Sequence, residues 1–199
     1  MSREELEQIV NNGLARLEMR IEAPALQRLT LLSQGLPHYT HLLALYATRE
    51  AIDYASDTVT LDHVIAAIRT ALTQAQQSIR SAHHTATMSP RKENLYTRVL
   101  LACALAKTDD LGYFAPSDVR DPLSRIMAKK YEIPSFARHL NIFCEDARGP
   151  VLQKTGISRR YRYRFANPLL QPFVIMQGMV DGLVTEQGVA VTPHTGDRR

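Results

Sequence analysis

Arg159-Arg160-Tyr161-Arg162-Tyr163-Arg164-Phe165 alternates cation and aromatic ring almost residue by residue. In an extended strand, successive side chains point to opposite faces. The stretch therefore predicts a strand with Tyr161, Tyr163 and Phe165 turned to a core and Arg160, Arg162 and Arg164 turned outward. Arginines in that place keep an edge strand soluble and unpaired; they also offer charge to an anionic partner. The sequence on either side decides which reading carries further.

Val151 to Ile157 reads as the partner strand, joined to the first near Gly156-Ile157-Ser158. Upstream, Pro134 opens a helix with Phe136, Ala137, Leu140 and Phe143 inward, and Arg148-Gly149-Pro150 breaks it. Asp121-Pro122 has the chemistry of an N-cap and first turn for the preceding helix, with Leu123, Ile126 and Met127 inward. Gly112-Tyr113-Phe114 reads as a short extended piece, and Leu95, Val99, Leu100, Cys103 and Leu105 mark a helix before it. Asn167-Pro168 starts a last apolar helix to about Leu183, and residues 186–199 read as a flexible tail. Helix, short strand, helix, helix, hairpin is the order of a winged helix-turn-helix, expected over residues 91–185. The Pro134 helix takes the recognition position, with Ser135, Arg138, His139 and Asn141 as outward candidates. Together with Lys154, Arg159, Arg160, Arg162 and Arg164, these form the expected DNA-binding set.

Charge points the same way. The formal net charge is +4, but it is unevenly distributed. Residues 1–90 carry 7 basic and 9 acidic side chains, residues 91–165 carry 15 and 8, and residues 166–199 carry 2 and 3. The positive charge thus belongs to the segment holding the strand. A localised basic surface is what a duplex DNA partner needs, and an acidic protein surface would also match it.

Residues 1–81 read as a helical domain of four helices. Ser2 and Glu5 make a capping box, followed by Leu6, Ile9, Val10, Leu14 and Leu17 at helical spacing. Pro24 opens a second helix, with Leu26, Leu29 and Leu32 inward and Gly35 as its stop. Pro37 opens a third with Tyr39, Leu42, Leu43, Tyr46 and Ala47. Thr60 caps a fourth whose stripe is Leu61, Val64, Ile65, Ile68 and Leu72. Residues 82–90, with His83-His84 and Ser89-Pro90, show no periodicity and read as a linker. The paired histidines there are expected to be solvated, with no metal.

Several chemistries find no motif. There is no Gly-x-x-x-x-Gly-Lys-Ser/Thr phosphate loop, no Gly-x-Gly-x-x-Gly, no Gly-x-Ser-x-Gly elbow and no His-Glu-x-x-His helix. Cys103 and Cys144 lack metal or dithiol spacing and read as buried thiols of a reducing cytoplasm. No run of about eighteen apolar residues occurs. The expectation is a cytoplasmic chain with no catalytic residues, metal or cofactor of its own.

Leu31-Leu32-Ser33-Gln34-Gly35-Leu36-Pro37-His38-Tyr39-Thr40-His41-Leu42-Leu43 resembles the second-sensor region in the lid of AAA+ ATPases. More loosely, it is similar to the Gly-x-Pro element of STAND-type NTPases. A helical lid followed by a winged helix likewise resembles the C-terminal half of origin-recognition-type and related bacterial AAA+ proteins, over roughly residues 2 to 180. The resemblance implies that Gly35, Pro37, His38 and His41 face a nucleotide, because free N–H groups and the dipole at a helix start favour phosphate. It also implies ATP and magnesium held by a core domain outside this chain, and the possibility of neighbouring subunits as partners. The chain departs from the pattern where His38, rather than an arginine, follows Pro37, and a neutral imidazole supplies less fixed charge than a guanidinium. The expected function is therefore the lid and DNA-binding module of a AAA+ ATPase. The alternatives are an interaction or oligomerisation module of such an ATPase, and a small winged-helix transcriptional regulator.

Overall fold

The computed structural model describes residues 1–90, 94–157 and 160–185. The described chain is mostly helical and forms two compact units, Met1–Gln76 and Gln77–Arg199.

The first unit holds α1 (Arg3–Ala15), α2 (Ala23–Ser33), α3 (Pro37–Asp53) and α4 (Leu61–Gln74). Ser2 accepts the Glu5 N–H at 3.2 Å while the Glu5 carboxylate accepts the Ser2 N–H at 2.7 Å, which closes the expected capping box. Thr60 opens α4 in the same way, with His63 Nδ1 accepting the Thr60 N–H at 3.1 Å. α3 is the central helix and packs on α1, α2 and α4. Leu6, Val10, Leu29, Leu32, Tyr39, Leu43, Val64 and Ile68 are buried between them. Leu17 is exposed, because α1 ends two residues before it. Two short strands, β1 (Arg20–Ile21) and β2 (Thr58–Val59), pair in parallel and tie the α1–α2 and α3–α4 connections together.

The second unit begins with α5 (Gln77–Thr87), which overturns the expected linker over 82–90. Its inward stripe is Ile79, Ala82, His83 and Ala86, with Ile79 and Ala86 buried. That stripe has helical period but little aliphatic bulk, so it reads as polar sequence. His83 is not solvated: its ring meets the Phe173 ring edge-on at 5.3 Å, and burial pushes the imidazole below its ordinary range, with Asp181 opposing the shift. Arg148 closes the end of α5. Its guanidinium donates to the carbonyls of Thr85 (3.4 Å), Ala86 (3.2 Å) and Met88, and lies 3.8 Å from the centre of the Tyr96 ring.

α6 (Tyr96–Ala104), α7 (Pro116–Ile126) and α8 (Ile133–Ile142) follow, with α6 packing on both others. α7 starts six residues earlier than the Asp121-Pro122 pair suggested. The Asp118 carboxylate accepts the Ala115 N–H at 2.7 Å, Pro116 supplies the first turn, and Pro122 is buried inside the helix. A single 3-10 turn at Asp146–Arg148 leads to β3 (Leu152–Thr155), which pairs antiparallel with β4 (Arg162–Phe165). Both strands are shorter than expected, and Arg160 and Tyr161 lie ahead of β4. Gly156 turns the hairpin at φ +93°, where an added Cβ would sit 2.5 Å from the Arg160 carbonyl oxygen. Phe114 adds one bridge to the far side of β4, exchanging both backbone hydrogen bonds with Tyr163 at 2.8 and 2.9 Å. α9 (Leu170–Val180) closes the core with Leu170, Phe173, Val174, Ile175 and Met176 buried. Its Gly178 rests on Leu101 of α6.

Candidate functional site

The register of the hairpin assigns its two faces. Leu152 pairs with Phe165, Gln153 with Arg164, Lys154 with Tyr163 and Thr155 with Arg162. Paired residues share a face. Arg162 and Arg164 therefore lie on the outer face with Gln153 and Thr155, while buried Tyr163 and Phe165 lie on the inner one, as the alternation requires. Lys154 is on the inner side and does not join the arginines. Its ammonium reaches out at the strand end, 4.4 Å from the Tyr161 ring centre and 3.1 Å from Asn141 Oδ1. The one-residue shift between Gln153 and Lys154 moves the charge to the opposite face.

The arginines differ in their freedom. Arg160 is exposed. Arg162 forms an ion pair with Asp109 at 3.1 Å and donates to the Tyr113 carbonyl at 3.4 Å. Arg164 is half-buried, donates from Nε to Gln153 Oε1 at 2.9 Å, and lies 4.9 Å from the Tyr113 ring centre. Tyr113 thus sits between two guanidinium groups, a role that its place in the expected extended piece did not reveal. Arg159 lies outside the described residues.

On α8, Ser135 and Arg138 are exposed, as expected. His139 and Asn141 are not outward. The His139 ring meets Tyr96 edge-on at 5.0 Å, and its Nδ1 is buried without a hydrogen-bond partner among the described residues. Burial lowers its proton affinity against the opposing pull of the nearby Phe136 backbone, and the Arg138 and Arg148 charges act in the same direction as burial. Asn141 Oδ1 accepts from the Tyr163 hydroxyl at 3.2 Å as well as from Lys154, so it joins helix to hairpin. Burial pushes the Tyr163 phenol up to about 12. The spacing contained the signal: Phe136, His139, Leu140 and Phe143 are one helical stripe, and His139 is its edge.

In the first unit, Gln34 and Gly35 both take positive φ, at 48° and 77°, and end α2. Pro37 then starts α3, and His38 and His41 are both exposed one turn apart. Met1 lies against this turn, its amino group donating to the Gly35 carbonyl at 3.1 Å. The turn is thus built as expected on Gly35 and Pro37, with two imidazoles as its exposed polar groups. Burial pushes the adjacent Tyr39 phenol up to about 12 and keeps it in the core.

Cys103 is buried, and Cys144 is half-buried with Sγ 3.3 Å from the Leu140 carbonyl; burial raises both thiols. Among the described residues no group of three or more His, Cys, Asp or Glu side chains could hold a metal, and no helix is long and apolar enough to cross a membrane. Compared with protein-family models, curated proteins and solved structures, the chain matches none.

Proposed function

We propose that the second unit is a winged-helix module that binds duplex DNA through phosphates, and that the first unit is the lid of a AAA+ ATPase. The observation that carries the reading is the Phe114–Tyr163 bridge. It makes the extended piece after the first helix a neighbour of β4, whose other neighbour is β3. A three-membered sheet in that order, with two helices between its first and second members, is the arrangement of a winged helix. α8 is then the recognition helix and the β3–β4 hairpin the wing. The exposed cations offered to phosphate are Arg138 on α8 and Arg160 at the wing, neither in an ion pair among the described residues. With His139 and Asn141 turned inward, α8 has few groups for base edges, so sequence preference is low.

Fluorescence anisotropy of a labelled duplex, titrated across salt concentrations, tests this reading. Each phosphate contact contributes roughly 0.9 to the logarithmic salt slope. R138Q/R160Q therefore lowers affinity and flattens the slope by roughly 1.8. A folded double variant with unchanged affinity and slope gives the basic face to a protein partner instead. Leu111 and Ile157, 73% and 71% exposed, favour that second reading. For the lid, the expected result is that changing Pro37 and His38 alters nucleotide turnover only when the chain is joined to an ATPase core, while the isolated chain hydrolyses no ATP. Turnover by the isolated chain that disappears on mutating one of its residues rules the lid out.

A further inference from the structure

Asp109 is the most heavily used carboxylate near the wing. Its Oδ1 accepts the N–H of Leu111 at 3.0 Å and of Tyr113 at 2.8 Å, which folds the loop from Asp109 to Tyr113. Its Oδ2 lies 3.1 Å from Arg162 Nη1, while Arg162 Nη2 reaches the Tyr113 carbonyl at 3.4 Å. Both ends of the guanidinium fork are thus held by one loop. Arg160, two residues earlier, has no such tether among the described residues and is exposed.

We infer that Asp109 is a brake on the wing: it holds Arg162 back from phosphate and so sets how many cations the hairpin offers. The inference rests on the DNA-binding reading above and adds a residue that tunes that site. An acceptor already seated on a guanidinium competes with phosphate for it, since both bind through charge-assisted N–H bonds. The pair is partly exposed, with side chains 47% and 34% accessible, so solvent screens it and it can open. Removing the carboxylate charge frees Arg162 for one more contact.

The test uses D109N, R162Q and the double variant on one duplex, beside R160Q and R138Q/R160Q. Asparagine keeps an acceptor oxygen for the Leu111 and Tyr113 N–H groups but loses the charge. D109N should tighten binding roughly five-fold near 0.1 M salt and steepen the slope by about 0.9. In the R162Q background the same change should do nothing. R162Q alone provides a readout that leaves the loop's own acceptor intact, and it should weaken binding less than R160Q does. If D109N weakens binding or leaves it unchanged, or if R162Q costs as much as R160Q, the brake is wrong while the DNA reading stands. If R138Q/R160Q also leaves binding unchanged, the DNA reading itself fails.

Discussion

α4 and α5 are consecutive helices built from opposite materials. α4 buries Val64, Ala67, Ile68, Ala71 and Leu72, an aliphatic stripe behind a capping box. α5 buries Ile79 and Ala86 around a half-buried histidine, and an arginine from a distant turn closes its end. A helix of the first kind brings its own burial energy; a helix of the second kind is held by what others bring to it. The contrast teaches that helical period can be present without hydrophobic bulk, provided that a tertiary partner supplies it.

Ala82→Pro should have the largest effect on α5. In a linker the change would be silent; in the middle of α5 it removes a backbone hydrogen bond and clashes with the preceding turn, costing about 3 kcal/mol or more. Urea unfolding should show that loss, and an unchanged midpoint would falsify the helix. Arg148→Ala comes next. It removes donors to α5 carbonyls and a guanidinium packed on Tyr96, at about 2 to 3 kcal/mol. A loss under about 0.5 kcal/mol would place it among ordinary surface substitutions and show that α5 holds its end without help. Thr60→Ala, which removes the α4 cap, should cost about 1 kcal/mol, a small fraction of what the aliphatic stripe contributes. The smallest effect is a pH dependence. His83 has a depressed folded-state proton affinity, so the unfolded chain binds protons more readily. Its contribution to stability is therefore complete above the unfolded value of about 6.5 and declines as the pH falls below it. Chemical denaturation at neutral and mildly acidic pH should show this decline, and His83→Leu should lessen it, with His139 supplying part of the remainder because its affinity is lowered in the same direction. An undiminished decline in His83→Leu would remove His83 from its buried seat.

Where physics is local, the sequence was sufficient. The aromatic–arginine alternation placed Tyr163 and Phe165 inward and Arg162 outward, and Ser2, Pro37 and Thr60 announced their helices. Failures came where a group outside the motif decides, near it in the chain or far from it. Asp121-Pro122 has the residue types of a helix start, yet Asp118 already caps Ala115 upstream and takes the role. Lys154 looked like a companion of the arginines until the hairpin register set it opposite Tyr163, and register depends on a turn whose length composition does not fix. Arg162 looked free because Asp109, its partner, is far away along the chain. Counting cations overstated how many of them stand unpaired on one face, since Arg162 is held by Asp109 and Lys154 lies on the other side of the hairpin.

The single bridge between Phe114 and Tyr163 has a kinetic consequence as well. The hairpin of β3 and β4 is a local contact that can form early. Bridging Phe114 to Tyr163 instead closes a loop of about fifty residues, at an entropic cost that only docked neighbours can offset. Because α7 and α8 both lie within that loop, pairing of Phe114 is expected to lag behind the local hairpin, which the order of amide protection during refolding would check.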